Sequence, residues 1–244
     1  MLLLAILLAL APQDEAAAKA ALETYKTTTT KSKDPKVHAD AVTELAKTPH
    51  EKVAAMLGSL LTTDDKDVRI AAAAGLGTFT TPPELRGSAA KHLTQALTAG
   101  ANLKFVEVRV AIFAALGALQ DESSANAVKS HFDDKDPKIA NAALSAVGSM
   151  KSKSLVEPLI QVVRDCERTI NGGQLPQPPP VKGKPAPPPP PAVQSAQEKE
   201  KKDRANAIIG TALSALNTLT GQNLNKADEY EKWWAKNRST FNPK

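Results

Sequence analysis

Asp65-Lys66-Asp67-Val68-Arg69-Ile70-Ala71-Ala72-Ala73-Ala74-Gly75-Leu76-Gly77 has the spacing of a capped, one-sided helix. Four and eight residues beyond Val68 stand Ala72 and Leu76, which places all three on one side of a 3.6-residue helix. Asp65 sits where a side-chain oxygen can cap the first free backbone N–H groups. The alanines predict close approach of a neighbour. Gly77, one past the last apolar position, suits either a left-handed helix end or tight packing.

The pattern returns along the chain. Val37 heads Val-His-Ala-Asp-Ala-Val-Thr-Glu-Leu-Ala, Val108 heads Val-Arg-Val-Ala-Ile-Phe-Ala-Ala-Leu-Gly, and Ile139 heads Ile-Ala-Asn-Ala-Ala-Leu-Ser-Ala-Val-Gly. A fifth copy begins at Ile208 with Ile-Ile-Gly-Thr-Ala-Leu-Ser-Ala-Leu-Asn. Position +4 holds Ala41, Ala72, Ile112, Ala143 and Ala212; position +8 holds Leu45, Leu76, Leu116, Val147 and Leu216. Copies recur at roughly 30 to 40 residues, with one longer gap before the last, and such periods mean a solenoid. Asp34-Pro35 and Asp136-Pro137 precede two of the anchors, a cap followed by the proline that suits a first helical position. Between copies lies a second apolar stripe, as in Val53, Met56, Leu57, Leu60 and Leu61, or Leu155, Val156, Leu159, Ile160 and Val163. Each unit is therefore predicted to be a helical hairpin that buries its apolar sides only by stacking.

Composition agrees. The 244 residues are 42% hydrophobic but only 4% aromatic, which argues against a β-sandwich and, with Ala and Leu abundant, for helices. The net charge of +5 is spread along the chain rather than gathered, so nucleic-acid binding is not the leading expectation.

These residues resemble the HEAT repeat family, including its bacterial exported short-repeat members. The fullest match is Asp65 to Arg69 with Ala71, Ala72, Leu76 and Gly77; the likeness covers about residues 34–170 and returns at 203–240. The family's Val-Arg pair is intact as Val68-Arg69 and Val108-Arg109, whereas His38, Ala140 and Ile209 stand at the arginine position of the other copies. The resemblance implies an all-α solenoid, a HEAT-like superhelix of about five hairpins with an N-terminal helix and a Pro-rich loop. It also implies that the second helix of each hairpin lines the concave side.

Domain boundaries follow from composition. Leu2 to Ala11 is apolar but shorter than the ~20 residues that span a bilayer. It closes on Ala9-Leu10-Ala11, the small-x-small pattern of signal cleavage, so residues 1–11 are expected to be an export signal. No Lys or Arg precedes the run and Pro12 follows it. Residues 12–33 are expected to form an N-terminal helix, 34–171 the first repeats, 172–197 a Pro-rich loop, and 198–244 the last repeat with a cap. In the loop, Pro176, Pro178 to Pro180 and Pro185 to Pro191 impose extended geometry, which also has the chemistry of a ligand for an aromatic groove. Trp233 or Trp234 is expected to lid the last repeat, with Tyr230 and Phe241 nearby.

Catalytic signals are sparse. Cys166 is the single cysteine and lies among apolar residues, which predicts a buried thiol. His38, His50, His92 and His131 fall in different units without metal-type spacing. Gly75-Leu76-Gly77 occupies the repeat's glycine column rather than a phosphate loop. Asp64 to Asp67 and Asp133 to Asp136 lack the glycine and final glutamate of a calcium loop. No cofactor, metal or catalytic residue is expected.

The reading is a non-enzymatic, exported scaffold that mediates protein–protein interaction. The expected partner is an unidentified protein, for which an acidic surface would suit the basic stripe, and no membrane span is expected after signal removal. A nucleic-acid-binding or base-repair protein and a pigment lyase or chaperone subunit are the alternatives. The expected partner-binding stripe is Lys91, Gln95, Asn126, Lys129, Gln161 and Arg164, the positions left outward by the core residues of the second helices.

Overall fold

A computed structural model describes residues 2–172 and 196–243, with side chains from residue 15 onward. Among the described residues every regular element is helical, and the helices stack as an α-solenoid. Helix α1 (Leu2–Lys31) leads into five hairpins. These are α2 (Pro35–Leu45) with α3 (Glu51–Leu60), and α4 (Lys66–Gly77) with α5 (Pro83–Thr98). Next come α6 (Val106–Leu119) with α7 (Ala125–Lys129), and α8 (Pro137–Met150) with α9 (Val156–Ile170). The last pair is α10 (Ala196–Thr220) with α11 (Ala227–Asn237). First helices α2, α4, α6, α8 and α10 pack in succession as one layer; α3, α5, α7, α9 and α11 form the other.

Local chemistry sets the starts. Asp34, Asp65 and Asp136 each cap a first helix, accepting from Lys36 N, from Asp67 N and Val68 N, and from Lys138 N at 2.8–2.9 Å. Pro35 and Pro137 follow two of these caps at the first helical position, where no N–H is needed. Helix α6 begins at Phe105 without a side-chain cap.

Helix α1 runs unbroken across Ala11 and Pro12 and ends at Lys31, two residues short of the expected end of the N-terminal helix. Among the described residues no helix is long and apolar enough to cross a membrane. The Pro-rich loop, apart from its ends, lies outside the described residues.

The core is the predicted one. Positions +4 and +8 of all five copies are buried, and among the anchors only Val37, which faces α1, is half-buried. The third second helix is shorter than its stripe implied. Helix α7 stops at Lys129, and Phe132, though buried, sits in the turn beyond it.

The glycine column serves close packing. The left-handed ends of α6 and α8 are taken by Gln120 and Lys151 instead (φ 53° and 51°). A Cβ on Gly77 would lie 2.9 Å from the Cα of Ala115 on the next first helix, and one on Gly117 3.0 Å from the Cα of Ala146. At the first crossing the roles are exchanged. Position +9 holds Ala46, and a Cβ on Gly75 of the following helix would come 2.6 Å from the Ala46 Cβ. The last crossing is looser, since a Cβ on Gly148 would be 3.4 Å from the Cα of Ala215.

These distances order a set of substitutions. Gly77→Ala must push two backbones apart and is expected to cost about 1–3 kcal/mol. Gly148→Ala is expected to be neutral, or to gain up to ~1 kcal/mol of helix propensity. Gly75→Ala is expected to destabilise, with Ala46→Gly restoring part of the loss in the double variant. Urea unfolding of the four proteins checks the order; equal effects at Gly77 and Gly148 would contradict it.

Candidate interaction surface and the joints that hold it

The predicted stripe lies on the second-helix layer. Lys91 and Gln95 on α5, Asn126 and Lys129 on α7, and Gln161 on α9 are all exposed. Each is placed by neighbours that point inward: Leu93 and Leu97, Val128, and Leu159 and Val163 are buried to 1% exposure or less. Arg164 does not stand free as the sequence reading supposed. It is half-buried and ion-paired with Glu231 of α11. Gln161 donates to both carboxylate oxygens of Asp165 at 3.0 Å. The unpaired positive charge of the stripe therefore comes from Lys91 and Lys129.

Buried polar joints hold the layers in register. Arg69 is 4% exposed; its Nη1 donates to Ala101 O at 2.7 Å and to Asn102 Oδ1 at 2.9 Å, and its Nε to Thr63 O. The guanidinium also lies 4.9 Å over the Phe105 ring. Asn102, fully buried, donates to Leu61 O and Ala96 O at 3.0 Å each. This one amide ties the end of α3, the end of α5 and an arginine of α4 together, and removing it would orphan buried carbonyls at roughly 1–3 kcal/mol each.

The next unit repeats the device with other groups. Arg109 Nη2 donates to Asp134 Oδ2 at 2.7 Å and to His131 Nδ1 at 3.2 Å, so it fastens α6 to the turn before α8. His131 packs edge-on against Phe113 with centroids 5.3 Å apart. The turn is held from the other side by Arg204 of α10, which donates to Asp134 O at 2.9 Å and Phe132 O at 3.0 Å. Burial, helped by the Arg109 charge, lowers the His131 pKa below 6.5. Burial of Asp134 works to raise its pKa, but hydrogen bonds from Arg109 and the Asp136 N–H outweigh this and the net direction is down.

The remaining residues of chemical interest have structural work. His38 Nε2 meets Thr29 O at 3.1 Å and Ser32 O at 2.7 Å, closing the turn after α1. His50 Nδ1 caps α3 by accepting from Lys52 N at 3.1 Å. The His92 ring covers Gly58, where a Cβ would lie 2.4 Å away. Cys166 is buried and its thiol is pushed up to about 11 by desolvation, which keeps it protonated near neutrality. Among the described residues no group of three His, Cys, Asp or Glu is arranged to hold a metal ion. The Asp runs serve as caps and as the Asp134 joint.

The last hairpin closes the stack. Tyr230, not a tryptophan, is the fully buried lid; its hydroxyl donates to Asn217 Oδ1, which also accepts from Leu224 N at 3.3 Å. Asn217 stands in the glycine column, and among the described residues no further first helix packs on α10 there. Asn102, Arg204 and the Tyr230–Asn217 pair were not singled out as joints in the sequence. They lie outside the repeated columns, except Asn217, whose departure from glycine was the available signal.

Residues 22–104 match the family model of HEAT repeats. Over that span, about a third of its length, the chain is similar to HEAT repeats. The matched span runs from within α1 into the α5–α6 turn, and so includes the α2–α4 crossing of Ala46 and Gly75. No curated protein matches the chain. HEAT repeats make it a helical repeat scaffold of the kind used for protein interaction.

The Arg109 joint gives the HEAT stack a pH dependence. The unfolded chain protonates His131 near its ordinary pKa, before the folded chain does, so stability falls as pH drops below about 6.5. The loss levels off once the folded state protonates as well. Thermal unfolding between pH 7.5 and 5 is expected to show this slope, and His131→Gln to flatten it; an unchanged slope in the variant would remove His131 as the cause.

Proposed function

We propose that this HEAT-repeat chain is a non-enzymatic scaffold that holds a protein partner on its second-helix layer, outside the cytoplasm. The observation that carries the reading is the succession of exposed polar side chains on α5, α7 and α9, set at fixed spacing by a continuous core. Extended surfaces of this kind are what stacked repeats offer to partners. Lys91 and Lys129 favour an acidic surface, and a polar, rigid platform suits recognition by many weak contacts better than by one pocket.

A non-catalytic role is supported by how the reactive groups are spent. The described histidines, the thiol and the buried arginines cap helices, close turns or pack. The base-repair alternative asks for an aromatic residue on a basic face, and α5, α7 and α9 contain no Phe, Tyr or Trp. Export rests on the apolar run Leu2 to Ala11 and its small-x-small ending.

Two experiments test this reading. Lys91→Glu with Lys129→Glu is expected to weaken salt-sensitive capture of an acidic partner while leaving the melting temperature almost unchanged, because exposed charges add little to stability. Arg164 is left intact in this variant because its pairing with Glu231 fastens α11. Undiminished capture by the folded variant would overturn the placement. Mass spectrometry of the mature protein is expected to find a first residue near Pro12; soluble cytoplasmic protein that keeps Met1 would overturn export.

A further inference from the structure

The C-terminal end of the stack carries more aromatic surface than its closure needs. Tyr230 alone fills the lid position at 0% exposure. Beside it Trp233, Trp234 and Phe241 form a second, half-buried group. The indoles stack at 6.0 Å, and Phe241 meets them edge-on at 5.4 and 5.7 Å. Trp233 and Phe241 border a cleft of about 500 Å³ between the end of α10 and α11, lined also by Thr218, Gln222 and Asn237, and Trp234 backs it through its stacking on Trp233. Among the described residues neither indole N–H, nor the Gln222 amide, has a hydrogen-bond partner. In a chain that is 4% aromatic, both tryptophans gather at this one place.

We propose that this cleft binds a proline-rich segment, and that its occupant is the segment Pro176–Pro191 of a second copy of the chain. Proline rings lie flat on indole faces, and a run of prolines leaves its carbonyls free to accept from indole and amide N–H groups, the donors this cleft leaves unused. Prolines fix φ near −65°, so little conformational freedom is lost on docking.

Chain length selects the second copy over the same one. The segment leaves α9 at Gly172 and re-enters at Ala196, the far end of α10 from the cleft. From Ala196 to Thr220, α10 is roughly 36 Å long at 1.5 Å per residue. Half of the intervening segment spans roughly 37 Å at 3.1 Å per residue. Its own cleft is thus met only by a fully stretched chain that reverses sharply among prolines, which their fixed φ opposes. The cleft of a neighbouring molecule carries no such restriction, and the contact is head-to-tail.

The test uses the full chain, whose two tryptophans are Trp233, which lines the cleft, and Trp234, which stacks on it. A synthetic peptide of residues 174–193 is expected to change their emission saturably, and a peptide with alanine for every proline to leave it unchanged. Trp233→Leu, which keeps an apolar side chain and is checked for folding by circular dichroism, is expected to lose the response. Sedimentation velocity is expected to show self-association rising with concentration, abolished when Pro176–Pro191 is replaced by Gly and Ser of equal length. Unchanged emission with the proline peptide, or equal responses to both peptides, would overturn the site. Peptide binding by a chain that stays monomeric at all concentrations would overturn the second copy as occupant.

Discussion

The architecture depends on how closely successive first helices approach. At three crossings a glycine of one helix faces the alanine backbone of the next, and at the first the pair is inverted, Ala46 against Gly75. What is preserved is the summed bulk of the pair, not the residue at either position. Such contact suits dispersion forces, which fade within an ångström of separation. It also explains why the first-helix layer is rich in Ala, Ser and Thr on its outer side, as at Ala74, Ala114, Ser145 and Thr218. Larger residues near the crossing would splay the pair and expose Leu76 or Leu116 behind it.

Two arginines of the repeated column hold the connections that follow their units. Arg69 and Arg109 each reach the short turn that leads into the next first helix. Ala140 occupies that column in the unit whose outgoing connection is the long segment between Gly172 and Ala196. There the unit is fastened by other means. Arg204 reaches back to the turn before α8, and α10 packs against both α8 and α9.

Most of the fold was legible in the sequence because the repeat states the same physics five times. Anchors, +4 and +8 positions, Asp caps and Asp-Pro starts all fell where the columns put them. Legibility failed where a residue acts once. Asn102 lies in an irregular turn, and only its distance from Leu61, Ala96 and Arg69 in space reveals its role. The free charge assigned to Arg164 was an error of the same origin, since Glu231 belongs to a tail with no counterpart in earlier units. The outward direction of Lys91, Gln95, Asn126, Lys129 and Gln161 was readable, because a helix whose buried side is known leaves its other side to solvent.

The joint between the fourth and fifth hairpins owes little to covalent linkage. Packing of α10 against α8 and α9, the Arg204 clasp and the Arg164–Glu231 pair all lie across the break in the helical path, and none involves the residues between Gly172 and Ala196. Cutting the chain there would raise the entropy of the separated pieces without removing a single one of these contacts. Reassembly of the two fragments then depends on their concentration, so that scission of the linker converts a single-chain solenoid into a heterodimer.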